Sequence, residues 1–332
     1  MSERTVATIE NVQRDNWRLH EDGIFVASSA RALANNMSEA YNQYGEDLTP
    51  EEKSLRARQN MREFHESIGL HIDNAFVMRP QIDYSKPLGI SNVDELFQPG
   101  HGGEDATVAE ERADFIYTEN PKTILECRPA DCPVLTIKGV NAEGVPVLGL
   151  LHVGWQGLNA GYLESAVSHL NENLHVPTES LRIQMSGSGY AENYHYKNAE
   201  HPLDDASHNG DLPKRFTHPD RDHLFVNVEA SDGVGDNGQP VWQFDIDMPG
   251  FIRKKLKDFG IDDYQLYEEG SDTTSPDSGY SSHSRDSKDK TRNTRDVVVA
   301  TMDTPDQDLI NARQSRIDGA ATIAAATRLL HE

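Results

Sequence analysis

Apolar residues along this chain gather in short runs separated by turn-formers, a pattern of strands more than of long helices. The run "GIFVASSAR", from Gly23, predicts a strand ending in small residues, and "NAFVMRPQI" predicts a strand and turn. Three further runs follow in quick succession: "ADFIYT", "TILECR" leading into "CPVLTIKG", and "VPVLGLLHVG". Two more strands are predicted at "SLRIQMSGSG", which runs into glycines, and "VVVATM".

Helical spacing appears in four places. In "LTPEEKSLRARQNMREFHESIGL" Thr49 is the expected N-cap, Pro50 fills the first helical position and two glutamates favour the N-terminal dipole. Its apolar stripe is thin: Leu55, Met61, Phe64 and Ile68. The segment "GLNAGYLESAVSHLNENL" puts Leu163, Val167 and Leu170 on one face, and "MPGFIRKKLKDFGI" starts at Pro249 and stops at Gly260. The final "PDQDLINARQSRIDGAATIAAATRLLHE" is an Ala-rich amphipathic helix, with Leu309, Ile317, Ala321, Ala324 and Leu329 near helical period, capped by Thr304 or Asp306.

Between these elements, residues 91–111 are Gly- and acid-rich and read as a surface loop. Residues 190–240 read as a long surface insertion. Its histidines, His195, His201, His208, His218 and His223, follow no helical or hairpin ligand spacing. Residues 271–296 are polar enough to pass for a linker. Strands and helices mix without strict alternation, which predicts an α+β fold rather than a doubly wound sheet. Neither a Gly-rich dinucleotide turn nor a P-loop is present.

Composition narrows the partners. The 332 residues carry 31 basic against 55 acidic side chains, a net charge of −24, which opposes a nucleic-acid or acidic-membrane partner. Two cysteines, Cys127 and Cys132, make no disulfide framework, and a reducing, cytoplasmic compartment is expected. The N-terminus has no apolar core of a signal peptide, and no run approaches the ~20 apolar residues of a membrane span.

The candidate chemistry lies in Cys132 and His152, each where an apolar run meets small or turn residues. A thiolate is both a nucleophile and a soft metal ligand, and a histidine can serve it as base or as co-ligand. A small cysteine on a strand is also a common core residue. Three features favour a site: Asp131 beside Cys132 is costly to bury without a partner, Gly154 and Gly157 after His152 allow close backbone approach, and both residues sit at strand ends.

Taken together, Arg112-Ala113-Asp114, Ala130-Asp131-Cys132-Pro133-Val134 and His152-Val153-Gly154-Trp155-Gln156-Gly157, with Gly161, resemble the signature of the laccase-domain (YfiH-like, "polyphenol oxidase") family. Ser28 to Arg31, the "RQNMREFHESIGL" helix, "SGSGYAENYHY" and Ser281 to Asp286 extend the likeness, interrupted by insertions. The resemblance implies stacked mixed β-sheets flanked by helices, similar to cysteine deamidases of the cytotoxic-necrotizing-factor type. It implies one domain over residues 1–303, with insertions near 91–111 and 190–240, and an additional C-terminal helix over 304–332.

The activity it implies is that of a zinc-dependent purine nucleoside phosphorylase with adenosine deaminase side activity. The substrates would be a purine nucleoside and phosphate, handled by a cytoplasmic monomer or homodimer. Zn²⁺ would be held by Cys132, His152 and Asp83, where Asp83 stands in the place of the family's first zinc histidine. Cys132, His152, Asp131 and Arg31 would form the catalytic group, and Arg31, Gln81 and Arg285 would contact substrate. The chain departs from the family at Asp83, at Gln156 in place of an arginine, near Asp272 in place of a cysteine, and at Ser186-Gly187-Ser188-Gly189. Two other readings stay open: a metal-free Cys–His hydrolase or deamidase, and a catalytically silent binding protein on the same fold.

Overall fold

The computed structural model describes residues 16–21, 24–29, 49–100, 106–198, 201–203, 218–234, 238, 240–262, 265–268, 272–275, 297–312 and 314–316. They form two stacked six-stranded mixed sheets with helices on both outer faces, plus a three-stranded sheet at one side.

The first sheet runs, across its width, β1 (Asn16–Glu21), β2 (Ile24–Ser29), β15 (Val298–Thr301), β7 (Ile124–Cys127), β3 (Ala75–Val77) and β5 (Thr107–Val108). The second runs β14 (Leu266–Glu268), β10 (Arg182–Met185), β8 (Val134–Val140), β9 (Pro146–His152), β6 (Phe115–Thr118) and β4 (Ile90–Asn92). Alternation along the strands builds the layers. Leu125, Cys127, Val298 and Ala300 face Ile116, Val134, Leu148 and Leu150 across the inter-sheet core. Their neighbours Ile124, Val297 and Val299 point the other way, onto Met61, Phe64 and Ile68 of α1 (Pro50–Ser67). On the far side, Phe115, Leu135, Leu151 and Ile183 pack under α4 (Tyr162–Glu172) and α5 (Met248–Asp258). Strands β8 and β9 are buried on both faces, which explains their near-continuous apolar sequence. Each large side chain so enclosed contributes roughly 1.5–3 kcal/mol.

Thr49 caps α1 in a full capping box with Glu52, as its sequence predicts. Leu55 of the predicted stripe is 63% exposed, and the buried face instead includes His65. The predicted helix over 157–174 is two helices, α3 (Trp155–Asn159) and α4, because Gly161 takes φ +79° and turns the chain between them. Within the loop predicted at 91–111, α2 (Val93–Leu96) and β5 are ordered, with Val93 and Phe97 in the inter-sheet core.

The largest departure is the predicted insertion over 190–240. Its described parts contribute β11 (His195–Asn198) and β12 (Phe225–Val234), which flank β13 (Pro240–Ile246) in the third sheet, where Phe225, Phe244 and Ile246 are buried in the cluster with α5 and the second sheet. Three of its histidines are spent locally: His195 bonds Asp245 (2.6 Å), His218 bonds Glu164 (2.7 Å) and His201 packs edge-on to Trp242. His208 lies outside the described residues.

The C-terminal segment is helical over 307–312 and 314–316, and its cap is Asp306, whose carboxylate accepts the Asp308 and Leu309 amides. It docks on the end of α1 through Asp306 N–H to Gly69 O (2.7 Å) and an Arg316–Glu66 ion pair. Among the described residues no helix is long and apolar enough to cross a membrane.

Candidate functional site

Both large sheets bring their chemistry to one edge. In the second sheet Val134 at the start of β8 pairs with His152 at the end of β9, and Phe115 at the start of β6 pairs with Leu151. Asp114, Cys132 and His152 therefore meet at that edge, though they are far apart in sequence. The end of β10 and the segment after β14 arrive at the same edge, where Ser188 bridges Asp272. In the first sheet β3 and β7 run parallel and deliver the segments that begin at Met78 and Arg128.

Asp114 organises the site. Its carboxylate is fully buried and accepts from His152 Nδ1 (2.8 Å) and from the Gln81 amide (3.1 Å). Its backbone carbonyl accepts the His152 N–H (2.8 Å). The rest of the motif holds the neighbouring turn: Arg112 donates to Pro80 O (2.6 Å) and the Ala113 amide to Arg79 O (3.0 Å). With Nδ1 committed to a carboxylate, the second ring nitrogen of His152 is left for other partners, and the imidazole interacts with the Cys132 side chain. Burial alone would push the His152 imidazole down. The charge and hydrogen bonds of Cys132 and Asp114 outweigh it and raise the group to about 10.

Cys132 is half-buried and stays within reach of solvent, whereas Cys127 is enclosed and burial pushes its thiol up. The Cys132 Sγ lies over Gly154, where an added Cβ would stand 2.9 Å from the sulfur. Gly154→Ala is therefore expected to displace the thiol and slow its alkylation by iodoacetamide on the order of 10- to 100-fold. An unchanged rate, followed by mass spectrometry, would show that the thiol's position is not held there.

Two tyrosine phenols feel the charge of Cys132. Tyr84 comes from the turn after β3 and Tyr194 from the segment before β11. Burial raises both phenols above their usual range, and the charges of Asp114 and Cys132 add to this at Tyr84, those of Cys132 and Asp131 at Tyr194. Both remain neutral O–H groups at ordinary pH.

The remaining candidates fall in different places. Asp131 is buried, as expected of a site acid, but its carboxylate accepts from Thr273 (3.3 Å) and its carbonyl from Gly189 (2.9 Å). It braces the 186–189 and 272–274 segments, and the acid that orients His152 is Asp114. Gln81 spends its side chain on Pro87 O (3.2 Å) and Tyr162 OH (3.2 Å). Asp83 is exposed and closes its own turn: it accepts from the Ser85 amide (3.2 Å) and hydroxyl (2.5 Å) and faces Lys86 (3.6 Å). Those bonds hold its carboxyl below the usual range. It is not gathered with Cys132 and His152. Arg31 and Arg285 lie outside the described residues.

Zinc in an enzyme takes three protein donors and keeps a fourth position open. Cys132 and His152 offer two. Among the described residues no group of three His, Cys, Asp or Glu side chains is placed to hold a metal ion. The described donor set does not fit zinc, nor copper. What the arrangement does provide is a carboxylate, an imidazole and a thiol in series, the order that activates a nucleophile or moves a proton. Asp114 was visible in the Arg-Ala-Asp motif, yet nothing local in the sequence tied it to His152.

Solved structures share this fold. The YfiH protein of Bacillus licheniformis superposes with a TM-score of 0.61 at 14% identity, covering 89% of this chain and 99% of its own. YlmD of Geobacillus stearothermophilus gives 0.60 at 16%, covering 89% and 98%. The Neisseria meningitidis protein NMB0706 gives 0.53 at 17%, covering 86% and 96%. No curated protein matches the sequence. Residues 34–300 match the family described as multi-copper polyphenol oxidoreductase laccase, and the chain belongs to that family.

Proposed function

We propose that the protein is an enzyme of purine nucleosides that cleaves the N-glycosidic bond with phosphate as acceptor, working through Cys132 and His152. The observation that carries this reading is the Asp114–His152–Cys132 series at the shared sheet edge. The resemblance of the motifs at 112–114, 130–134 and 152–157 to the laccase-domain family supports the substrate class. In such a reaction the bond between ribose C1′ and the purine breaks, its electron pair leaves with the base, and a phosphate oxygen bonds C1′. His152, steadied by Asp114, would supply the proton that neutralises the departing base. Tyr84 and Tyr194, as neutral phenols, would donate hydrogen bonds to the substrate's polar edge.

The same series supports a second reading, amide hydrolysis or deamidation. There Cys132 attacks the carbon, His152 passes the thiol proton to the leaving amine, and water releases the thioester. The incomplete metal donor set among the described residues favours it.

Incubating the purified protein with adenosine and inosine, with and without phosphate, separates the two. Phosphate-dependent release of base and ribose 1-phosphate, lost in Cys132→Ala and His152→Ala, is the expected result, with metal content measured on the same sample. No nucleoside turnover, together with His152-dependent alkylation of Cys132, would move the assignment to the hydrolase. An inert nucleoside assay with an unreactive Cys132 would overturn both.

A further inference from the structure

The turn that follows β3 is pinned to the Asp114 segment at several points. Arg112 Nη1 donates to Pro80 O (2.6 Å), the Ala113 amide to Arg79 O (3.0 Å), and the Asp114 and Phe115 amides both donate to Gly89 O (3.2 and 3.1 Å). One bond runs the other way and reaches the acid itself. The Gln81 amide donates to Asp114 Oδ2 (3.1 Å), while Oδ1 accepts from His152 Nδ1 (2.8 Å). The carboxylate has no exposure, so a donor lost there is not replaced by bulk water. What holds Gln81 is Tyr162, the first residue of α4. Gln81 Nε2 donates to Pro87 O (3.2 Å), which turns Oε1 toward the Tyr162 hydroxyl. That hydroxyl shares its proton between Gln81 Oε1 (3.2 Å) and Lys86 O (2.9 Å), and so grips both arms of the turn. Tyr162 is itself fixed. It is 1% exposed, and its ring lies over Gly157 of α3, where an added Cβ would stand 3.1 Å from Cδ2. Burial pushes its phenol up to about 12, so it stays a protonated donor at ordinary pH.

From these bonds we infer that Tyr162 is a positioning residue for the Cys132–His152 pair: its hydroxyl fixes Gln81, whose amide fixes the Asp114 carboxylate that orients the imidazole. The inference rests on Cys132 and His152 being the working pair. Tyr162 acts through Gln81 and Asp114 and takes no part in the chemistry. The imidazole and the thiol are close enough for aim to matter. Cys132 Sγ and His152 Cε1 lie 2.9 and 3.9 Å from the one point above Gly154 where a Cβ would be. A carboxylate held at one oxygen alone can rotate, and the ring bonded to it turns with it, away from the geometry that lets it exchange a proton with the sulfur.

The test is a double-mutant cycle, read by the rate at which iodoacetamide alkylates Cys132 and followed by mass spectrometry. Tyr162→Phe keeps the ring and removes the hydroxyl. In the wild-type background it is expected to slow labelling about three- to tenfold, the scale of one neutral hydrogen bond. In the Asp114→Asn background it is expected to change the rate less than about twofold, because the group through which it acts is already gone. The ¹⁵N shifts of the His152 ring are expected to move in Tyr162→Phe alone. Gln81→Met removes the acceptor of the same bond and gives the same reading should Tyr162→Phe fold poorly. Equal factors in both backgrounds would mean that the hydroxyl supports the fold in general, and would overturn the inference. A wild-type rate in Tyr162→Phe and in Gln81→Met would overturn it too. Either result leaves the functional reading standing as long as Asp114→Asn and His152→Ala slow the thiol. If those two label at the wild-type rate, the working pair falls and the inference with it.

Discussion

Asp114→Asn is expected to slow His152-dependent chemistry at Cys132 by roughly 10³- to 10⁴-fold, the scale seen when a catalytic histidine loses its orienting carboxylate. The carboxylate accepts two hydrogen bonds, one from His152 Nδ1 and one from the Gln81 amide. An asparagine can satisfy only one of them as acceptor. If its oxygen faces Gln81, its NH₂ faces Nδ1, which must then accept. The ring proton moves to the nitrogen beside Cys132, and the imidazole can no longer take a proton from the thiol. If the amide is turned over, two donors face each other at Gln81 and folding loses ~1–3 kcal/mol. Either orientation leaves a conflict, so the variant is expected to be slow, modestly destabilised, or both. The rate of iodoacetamide labelling and the ¹⁵N shifts of the His152 ring read the two outcomes directly. Asp131→Asn is the contrast, since Asp131 bonds Thr273 and not the imidazole, and it is expected to cost far less in rate. Labelling of Asp114→Asn at the wild-type rate would remove Asp114 from any catalytic role.

That contrast marks where the sequence was informative. Cys132 and His152 announce themselves through the small residues and the buried acid around them, because a site needs close backbone approach and paired charge. Strands β8 and β9 are legible for a different reason: burial on both faces leaves a continuous apolar run. The Asp114–His152 bond spans 38 residues and is set only when β6 and β9 pair, so no local periodicity encodes it. Tyr84 and Asp83 are a finer case. They are adjacent in one turn, Asp83 exposed and Tyr84 half-buried, and composition does not say which faces in. The third sheet escaped because its strands are half-exposed and polar, and β12 is interrupted by register shifts and by Asn227 at φ +52°. Its apolar residues lack the clean alternation that marks a strand.

Glu126→Gln is expected to lose more stability than any of the other variants, about 3–5 kcal/mol in chemical denaturation, as when one member of a buried ion cluster is removed. Glu126 lies on β7 with no exposure, directed at α1. It accepts from His65 Nε2 (3.0 Å) and from Arg128 Nε (2.8 Å). Burial pushes its carboxyl up, but Arg128 and His65 together hold it below the usual range. Glutamine turns one of its two acceptors into a donor, which then faces either the guanidinium or the imidazole N–H. His65 Nδ1 already has no hydrogen-bond partner, so the ring has nowhere else to turn. The pH dependence carries the same sign. A carboxyl lowered in the folded state gives stability that is present above its unfolded value of 4.5 and lost as pH falls through the lower folded value. The gap between wild type and Glu126→Gln should therefore be widest near neutrality and narrow below pH 4.5. A gap that stays constant into acid would mean that the cost is steric rather than ionic. The cluster also anchors the start of the segment leading to the thiol, because Arg128 opens the run Arg128-Pro129-Ala130-Asp131-Cys132. Loss of Glu126 should thus loosen Cys132 as well as the core, but without altering the His152 tautomer. A stability loss with modest rate change in Glu126→Gln, set against a rate loss with modest stability change in Asp114→Asn, would separate the group that holds the site in place from the group that makes it react.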